Sequence, residues 1–568
     1  MKFDAKKIGL FVALFSAILV LGVPLEIQAE QKDFPSLRIN SPLHPFEQER
    51  EFWHGASLTL TSENPEWNFS NVSVQLRGRG NATWWSGPHK RPLRIRFDTP
   101  HEMFGSAPHR DWILLANAFD GSLLRTHFTF YFARMLGDNM VYVPSSQFVH
   151  LYVNGVYKGV YQLTDERDNG PGRGNVRVSG DPAMSEYWLE MDMRTTEFFN
   201  IHGKYYDIRM PGGSALTDAH IVYAYEYLRA VSDAIRANDW DRISALIDIE
   251  SFVDFYIVQE WSKETDVAFS SVFMQILGQG DERRLVLGPL WDFDNSFGNF
   301  DVGFNEPTGI FWAHRHYWFA NLMQIEQFRD AVRIRWNETA WARDAALENL
   351  EYMSRVYGQA FQRNFRVQPM FASPWIESRS PHVLAAGSIW KNQVGFLTDF
   401  ARERAAWLDI YIDYLPLFRF VDLHMTQWYH DDVMMIYNAG IMEAWSVNEF
   451  APLEKVTHSM FAAALHNLSG AAGDVLINNR DEAITREEMV VMLYDFALMH
   501  GVRLASGGRG VFRDIAALPT HSQNAINAMY NAAVVSGWGV GRFNPHDFAT
   551  RAEAAVIISR FMTAMDFR

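Results

Sequence analysis

The stretch Leu285–Asn299, LVLGPLWDFDNSFGN, contains the residues best suited to metal-dependent chemistry. An apolar run ends at Gly288-Pro289, and Asp292 and Asp294 follow it among aromatic residues. Side chains two positions apart on an extended segment lie on the same side. An unpaired carboxylate in a partly dry setting is costly, and a divalent cation with oxygen ligands, such as Mg²⁺, would keep both carboxylates ionised. The alternative is a strand-end turn whose acids face solvent.

A second acidic group lies shortly before this stretch. Glu260, Glu264 and Asp266 lie just before the strand-like run Val272–Leu277. With Gly278–Arg284 as a turn, a hairpin would bring these acids beside the first pair. Asp266 alone is more often a helix-end or turn residue than a catalyst. Beside a metal-binding pair it becomes a candidate general base.

Basic residues cluster much earlier, where two segments alternate polar and apolar side chains. Ser73–Arg77 and Leu93–Phe97 fit strands whose polar positions share one face. Glycines at 78 and 80 would let backbone N–H groups approach a ligand closely. The cluster is either a solvated polar face or a cradle for phosphate. Its members are Arg77, Arg79, Lys90, Arg94 and Arg96.

Size, charge and the N-terminus limit the classes of function. The 568 residues predict two or more domains, and a net charge of −16 argues against a general nucleic-acid binder. Lysines precede the apolar run Ile8–Val23 in the order of a secretory signal peptide, which we place at residues 1–29. An uncleaved membrane anchor is the alternative. Without cysteine, an exported protein must rely on packing rather than disulfides.

The remaining patterns give a coarse order of elements. Residues 37–165 are rich in strand patterns, and the chain then becomes mainly helical. A hairpin is predicted at Asn154-Gly155, and helices are predicted at Ser122–Leu136, Asp218–Arg236 and Ser251–Trp261 and several times within residues 312–414.

Taken together, residues from about Ile39 to about Tyr414 resemble the spore-coat protein H (CotH) kinase-like family. The resemblance implies an α+β fold, a divergent protein-kinase-like domain that we place at residues 31–415. The segments that carry it stand in family order. They are Leu76–Trp84, Lys90–Ile95, Phe104-Gly105, Trp112–Asn117, Asp120–Arg125, Asn154–Glu166 and Trp291–Gly298.

The resemblance also implies phosphoryl transfer from ATP with Mg²⁺ or another divalent cation. Lys90 would meet the nucleotide phosphates and Glu166 would orient it, as the lysine–glutamate pair does in kinases. Asp266 would be the catalytic aspartate, and Asp292 and Asp294 would hold the metal, with either as the principal ligand. This site requires Lys90 and Asp292 to share a cavity. The residues assigned to the nucleotide are Arg77, Arg79, Lys90, Arg94 and Glu166.

One position departs from the family pattern. Ser271 stands where a kinase offers an asparagine to a second metal ion. A hydroxyl is a weaker ligand, so the metal stoichiometry and the turnover are both open. The chain could bind nucleotide without efficient transfer.

The C-terminal third, residues 416–568, repeats itself. Several positions between Tyr437 and Thr457 recur between Tyr530 and Thr550 at a constant offset of 93 residues. These units resemble S-layer homology (SLH) repeats, small all-α modules that bind secondary cell-wall polysaccharide. We place three copies at about 420–470, 474–505 and 510–565, of which the middle one is truncated.

The SLH resemblance implies wall-polymer contacts in the second and third copies. An arginine at these positions could pair with an acidic sugar substituent. The first copy has His458 instead of arginine. A degenerate repeat kept as a helical spacer is the alternative. The implied contact residues are Thr485, Arg486, Glu487, Thr550, Arg551 and Glu553.

We therefore expect an exported protein of the bacterial cell wall or cell surface, an atypical kinase that phosphorylates Ser or Thr residues of coat or surface proteins. No nucleic-acid partner and no membrane span after signal removal are expected. The competing hypothesis is a non-catalytic adhesin or scaffold, which the usual scarcity of ATP outside the membrane favours. A glycan-active enzyme is disfavoured, because Asp292 and Asp294 on one strand face could hardly flank a sugar ring.

Overall fold

The computed structural model describes most of the chain. The predicted signal peptide lies outside the described residues. These are 31–85, 90–195, 198–300, 306–370, 380–413, 420–424, 427–446, 448–469, 481–502, 512–537 and 541–565.

The N-terminal part forms a closed barrel. Its seven strands are β1 Ser36–Asn40, β2 His54–Thr61, β3 Phe69–Gly78, β4 Leu93–His101, β5 His109–Leu115, β6 Gln147–Val153 and β7 Val156–Asp165. They follow the order β1-β2-β3-β4-β5-β7-β6, and β1 closes the barrel by pairing in parallel with β6. The sequence predicted the strand-rich region but not its closure.

Alternating side chains determine which residues fill the barrel. Leu76 on β3 pairs with Ile95 on β4, and both side chains are fully buried in the barrel core. Arg77 and Arg94, the next pair in register, therefore face the opposite side of the sheet. The predicted hairpin turn at residues 154–155 joins β6 to β7, and both of its residues have positive φ.

A second, antiparallel sheet follows the barrel. Its five strands are β8 Tyr187–Met191, β9 Phe199–Ile201, β10 Lys204–Met210, β11 Val272–Leu277 and β12 Arg284–Leu287. Their order is β12-β11-β8-β10-β9. β11 and β12 pair directly, which confirms the predicted hairpin. The start of β11 and the end of β12 therefore lie at the same edge, close to the two acidic segments.

Helices surround the second sheet and one side of the barrel. In the described residues of this part they are α1 Ala82–Trp85, α2 Arg125–Leu136, α3 Asp218–Arg236, α4 Trp240–Leu246, α5 Ile249–Ser262, α6 Tyr317–Leu322, α7 Glu326–Glu338, α8 Ala340–Asn364, α9 Pro381–Ala386 and α10 Trp390–Tyr411. α3 has the predicted bounds. α2 begins three residues late, because the Asp120 carboxylate accepts the amides of Ser122 and Arg125, both at 2.8 Å, and holds this segment as a turn. α5 is buried on nearly all sides and is the central helix of the core.

The C-terminal part has its own hydrophobic core. Its described helices are α11 His430–Asn438, α12 His458–Ser469, α13 Arg486–Met499, α14 Thr520–Asn531 and α15 Arg551–Met565. Three short extended segments precede α12, α13 and α15 and bond in a ring: Val456 N–H to Ala549 O, Ala549 N–H to Ile484 O, and Ile484 N–H to Val456 O, each at 3.0 Å. The truncated second copy thus completes a three-membered ring. No helix in the described ranges combines the length and apolar character needed to cross a membrane.

Candidate functional site

A cleft of about 900 Å³ lies between the barrel and the second sheet. Basic residues from β3, β4 and the turn between them line one wall. Acidic residues from the segments flanking the β11–β12 hairpin line the other. All but one of the residues predicted for the nucleotide and metal lie in this cleft: Arg77, Arg79, Arg94, Glu166, Asp266, Asp292 and Asp294.

The basic wall is built around Arg94. Its Nη1 lies 3.2 Å from Glu166 Oε2, and its Nε lies 3.1 Å from Asp111 Oδ1. Burial raises the pKa of Glu166, but the guanidinium groups of Arg167, Arg94 and Arg79 outweigh burial and hold this pKa below its usual range. The carboxylate is therefore ionised at neutral pH and fixes the arginine that faces the cleft.

The turn after β3 brings Arg79 towards the acidic wall. Gly78 packs so closely on the ring of Trp84 that an added Cβ would lie 2.3 Å from it, so this position requires glycine. Arg79 and Arg167 both stack on the ring of Trp291, with guanidinium carbons 5.3 and 4.3 Å from its centre. Trp291 thus holds two cations immediately beside Asp292.

The aspartate pair is not on an extended segment, which corrects the geometry predicted from its spacing. Asp292 has φ 67° and ψ 42°, in the left-handed region, and begins a short 3₁₀ turn over Phe293–Asn295. Ser271, also left-handed at φ 60°, donates from Oγ to Asp292 Oδ2 at 3.3 Å. Non-glycine residues rarely adopt such backbone conformations, and their clustering here marks a site that its surroundings hold in place.

Asp266 lies in the loop after α5, across from Arg194. Its amide donates to Glu264 Oε2 at 2.7 Å, and Ser270 Oγ donates to its carboxylate at 3.3 Å. Burial and the charge of Asp292 raise the pKa of Asp266 to about 6, while Arg194 opposes the rise. A carboxylate with this pKa is mostly ionised at neutral pH and can still accept a proton readily.

Glu260 belongs to the core and not to the cleft. Its carboxylate accepts the amides of Trp312 and Ala313 at 2.6 and 2.9 Å and forms a buried ion pair with Arg404. Of the three acids predicted before β11, only Asp266 reaches the cleft directly.

Lys90 is the predicted residue that does not face the cleft. It is fully buried and lines a separate chamber of about 20 Å³. Its Nζ lies 5.1 Å from the ring centre of Tyr161 and has no hydrogen-bond partner among the residues that the structure describes. Phe119 lies between this chamber and the cleft, since it lines both.

The expectation that Lys90 shares a cavity with Asp292 is therefore wrong, and the cations that share the cleft with Asp292 are arginines, among them Arg79 and Arg94. The predicted Lys90–Glu166 pair is absent as well, and Arg94 occupies the place beside Glu166. The reason is local: Lys90 precedes the first residue of β4, so the strand alternation that directs Arg94 does not extend to it.

Sequence patterns missed several charged residues of the cleft. Arg167 follows Glu166 directly and could have been found from that position. Arg50 and Arg194 come from irregular segments that no periodicity marks. Glu190 lies on β8, where all five residues are buried and no alternation identifies the cleft-facing one. All four line the cleft.

The acidic wall offers hard oxygen donors, which suit Mg²⁺. The donors are the carboxylates of Asp292 and Asp294, with the Ser271 hydroxyl adjacent. In the part of the chain that the structure describes, no group of three or more His, Asp or Glu side chains is arranged to hold a metal alone. The residues fit an ion that is bound by one or two carboxylates and takes its other ligands from outside the protein.

The residues predicted to bind wall polymer make many contacts within the repeats. Arg486 is mostly buried and donates to Phe543 O at 3.1 Å, and its Nη1 lies 2.5 Å from Glu553. Arg551 donates to Phe450 O at 2.8 Å. Capping boxes engage three more of the predicted side chains, since Thr485 pairs with Glu488 and Thr550 with Glu553 at the starts of α13 and α15. Glu487 is not part of a capping box, and its amide donates to Pro545 O at 3.0 Å.

Comparisons with known proteins cover both halves of the chain. The family described as CotH kinase protein matches residues 75–408, which contain the whole predicted nucleotide and metal site. The family described as S-layer homology domain matches residues 419–459 and 511–555. A search of curated proteins found no match.

Proposed function

The chain belongs to the CotH kinase protein family, and we propose on this premise that it transfers a phosphoryl group from Mg–ATP to Ser or Thr hydroxyls of surface or coat proteins. The observation that carries the proposal is the single cleft in which Arg79 and Arg94 face Asp266 and Asp292. Phosphoryl transfer requires positioning and charge neutralisation, and this arrangement supplies both. The barrel and the second sheet would be the two parts of a divergent kinase-like fold.

Each residue has a distinct role in the proposal. Arg79 and Arg94 bind phosphate oxygens, and Glu166 keeps Arg94 in place. Asp266 accepts the proton of the attacking Ser or Thr hydroxyl. The hydroxyl oxygen forms a bond to the terminal phosphorus of ATP, and the bond from this phosphorus to ADP breaks. Asp292 and Asp294 would hold Mg²⁺, which neutralises charge on the phosphates when bound.

A non-catalytic scaffold is the second candidate, and two observations favour it. Lys90 lies outside the cleft, and the Ser271 hydroxyl is already engaged with Asp292. A cleft of this kind could bind Mg–ATP without transferring phosphate efficiently.

Labelled ATP separates the two candidates. The full chain and its Asp292→Asn variant are incubated with Mg–ATP labelled at the terminal phosphate and with surface-protein extract. Label in protein for the wild type alone supports the kinase. Nucleotide binding measured by calorimetry, with no label in any protein, would support the scaffold.

The S-layer homology segments indicate a bacterial cell-surface or S-layer-associated protein. We propose that the repeats bind secondary cell-wall polysaccharide through Arg551 rather than Arg486. Around the ring, His458 lies 3.6 Å from Glu488 and Arg486 lies 2.5 Å from Glu553. Met460 of the first copy is the residue equivalent to Glu488 and Glu553. Arg551 therefore has no acid at the position that pairs with His458 and Arg486, and its charge is less neutralised by its neighbours.

Sedimentation with purified cell walls tests this choice. Arg551→Gln should abolish sedimentation, and wall preparations stripped of their secondary polymer should not retain the wild type. Equal retention of Arg551→Gln and the wild type would reject Arg551 as the contact.

A further inference from the structure

Two loops of the C-terminal repeats make the same internal hydrogen bonds. Asp422 accepts the amides of Phe450 and Ala451 at 3.0 and 2.6 Å. In the third copy, Asp514 accepts the amides of Phe543 and Asn544 at 3.0 and 2.8 Å. The loops are therefore equivalent parts of the first and third copies, and their differences can be compared position by position.

The first copy differs from the third where it touches the CotH domain. Asn448 is mostly buried, and its Nδ2 donates to His314 O at 2.6 Å, whereas the equivalent residue Gly541 has no side chain. His424 bonds Thr308 O through Nε2 at 3.1 Å, and the equivalent residue of the third copy is the exposed Ala516. The third copy has neither side chain at the equivalent positions, so these two hydrogen bonds to the CotH domain are particular to the first copy.

The surface that receives His424 is shaped for it. Gly309, with φ 94°, lies directly beneath the imidazole ring, and an added Cβ would lie 1.8 Å from His424 Nε2. Charge follows the same pattern. The negative charge of Glu449 attracts the cations Arg315 and Lys204 of the CotH domain and favours their protonated forms. The equivalent residue of the third copy is Arg542, which has the opposite charge.

The contacted segment, residues 306–316, also contacts the loop after α5 that carries Asp266. Trp312 Nε1 donates to Glu264 O at 2.7 Å. Lys263 Nζ donates to Glu306 O at 2.7 Å, and this ammonium lies 4.8 Å from the ring centre of Trp312. Glu264 in turn accepts the amide of Asp266. Hydrogen bonds and one short stretch of chain therefore connect the first repeat to the proposed base.

We propose that His424 and Asn448 of the first repeat are positioning residues for the phosphoryl-transfer site. Through residues 306–316 they hold the loop that carries Asp266, so the wall-binding unit is also a structural part of the cleft. The effect on rate rests on the proposed kinase function. The effect on loop order does not.

The test exchanges residues between copies in the full chain. The double variant His424→Ala/Asn448→Gly places in the first copy the residues that the third copy already uses, so the repeat can still fold. The matched control, Ala516→His/Gly541→Asn, makes the reverse change away from the CotH domain. Asparagine tolerates the positive φ of Gly541, 72°.

Hydrogen exchange and kinetics are both measured. We expect faster amide exchange over residues 262–273 in the first variant, a kcat lowered about tenfold with KM for ATP nearly unchanged, and no change in the control. Unchanged exchange over these residues would overturn the inference, as would unchanged kcat in an active protein. Faster exchange in a protein whose wild type transfers no phosphate would support the structural inference and reject the kinase function.

Discussion

The cleft and the C-terminal repeats use arginine and glutamate in opposite ways. In the cleft, Arg94 meets the carboxylates of Asp111 and Glu166 at 3.1 and 3.2 Å while still lining a space of about 900 Å³. In the repeats, Arg486 donates to two main-chain carbonyls of the neighbouring copy and pairs with Glu553. The first arrangement holds an arginine at the wall of a cleft that a ligand can enter, and the second ties two copies together. Substitution of the charged residues of the cleft should therefore lower function, and substitution of Arg486 should lower the stability of the repeats.

Asp266→Asn should have the largest effect on the rate of phosphoryl transfer without lowering stability. Loss of the proposed base should lower the rate of phosphoryl transfer by at least about 100-fold. Stability at neutral pH should not fall. In the folded protein the pKa of Asp266 is about 6, above the ordinary value of 3.8. Folding therefore favours the protonated carboxyl, and the free energy of unfolding decreases as pH rises from about 4 to 6. The asparagine variant does not have this loss.

The measurements for Asp266→Asn are single-turnover transfer and urea unfolding at several pH values. The variant should lack this part of the pH dependence of unfolding. A variant that transfers phosphate normally would remove Asp266 from the mechanism.

Arg486→Ala should show the reverse pattern. Its removal leaves Glu553 with a poorly compensated charge and frees two carbonyl oxygens, so we expect the repeats to lose about 3 kcal/mol of unfolding free energy. Transfer in the cleft should change little before the repeats unfold. Arg486→Met/Glu553→Gln should lose less than the sum of the two single changes, because the pair is removed together. Additive losses in denaturant unfolding would show that the two groups do not interact.

Lys90→Met tests a cation that belongs to neither arrangement. Burial lowers the pKa of Lys90 from 10.5 to about 7. The unfolded chain thus binds a proton that the folded chain does not, and wild-type stability should increase as pH rises from about 7 to 10.5, by up to about 1.4 kcal/mol per pH unit. The variant should lack this slope and bind Mg–ATP as the wild type does. A large loss of Mg–ATP affinity in Lys90→Met would show that Lys90 contributes to nucleotide binding.

Local sequence patterns correctly predicted several of the helices and strands around the cleft. The bounds of α3 and the β11–β12 hairpin follow from periodicity and turn composition, which depend on neighbouring residues alone. Alternation likewise put Arg77 and Arg94 on one face. The strands gave no sign of barrel closure, because closure depends on the pairing of β1 with β6, which are far apart in the chain.

Individual side-chain directions were predicted less well. Spacing placed Asp292 and Asp294 on a strand, but the left-handed backbone at Asp292 is fixed by its surroundings and leaves no periodic signal. Lys90 stands just outside β4, where alternation no longer specifies a face. Arg194 enters the cleft from an irregular segment, so only tertiary structure reveals it.

Arg194→Gln should have the smallest effect and sharpens the comparison within the cleft itself. Arg194 stabilises the ionised form of Asp266, so its loss should raise the pKa of Asp266 further. The pH at which transfer reaches half its maximum should move upward. The rate near pH 6 should fall about two- to threefold, while rates above pH 8 converge, because Asp266 is then ionised in both proteins. Arg209→Gln is the matched control, since Arg209 lines the same cleft but pairs with Glu190. Equal shifts in both variants would attribute the effect to the general positive charge of the cleft rather than to the Arg194–Asp266 interaction.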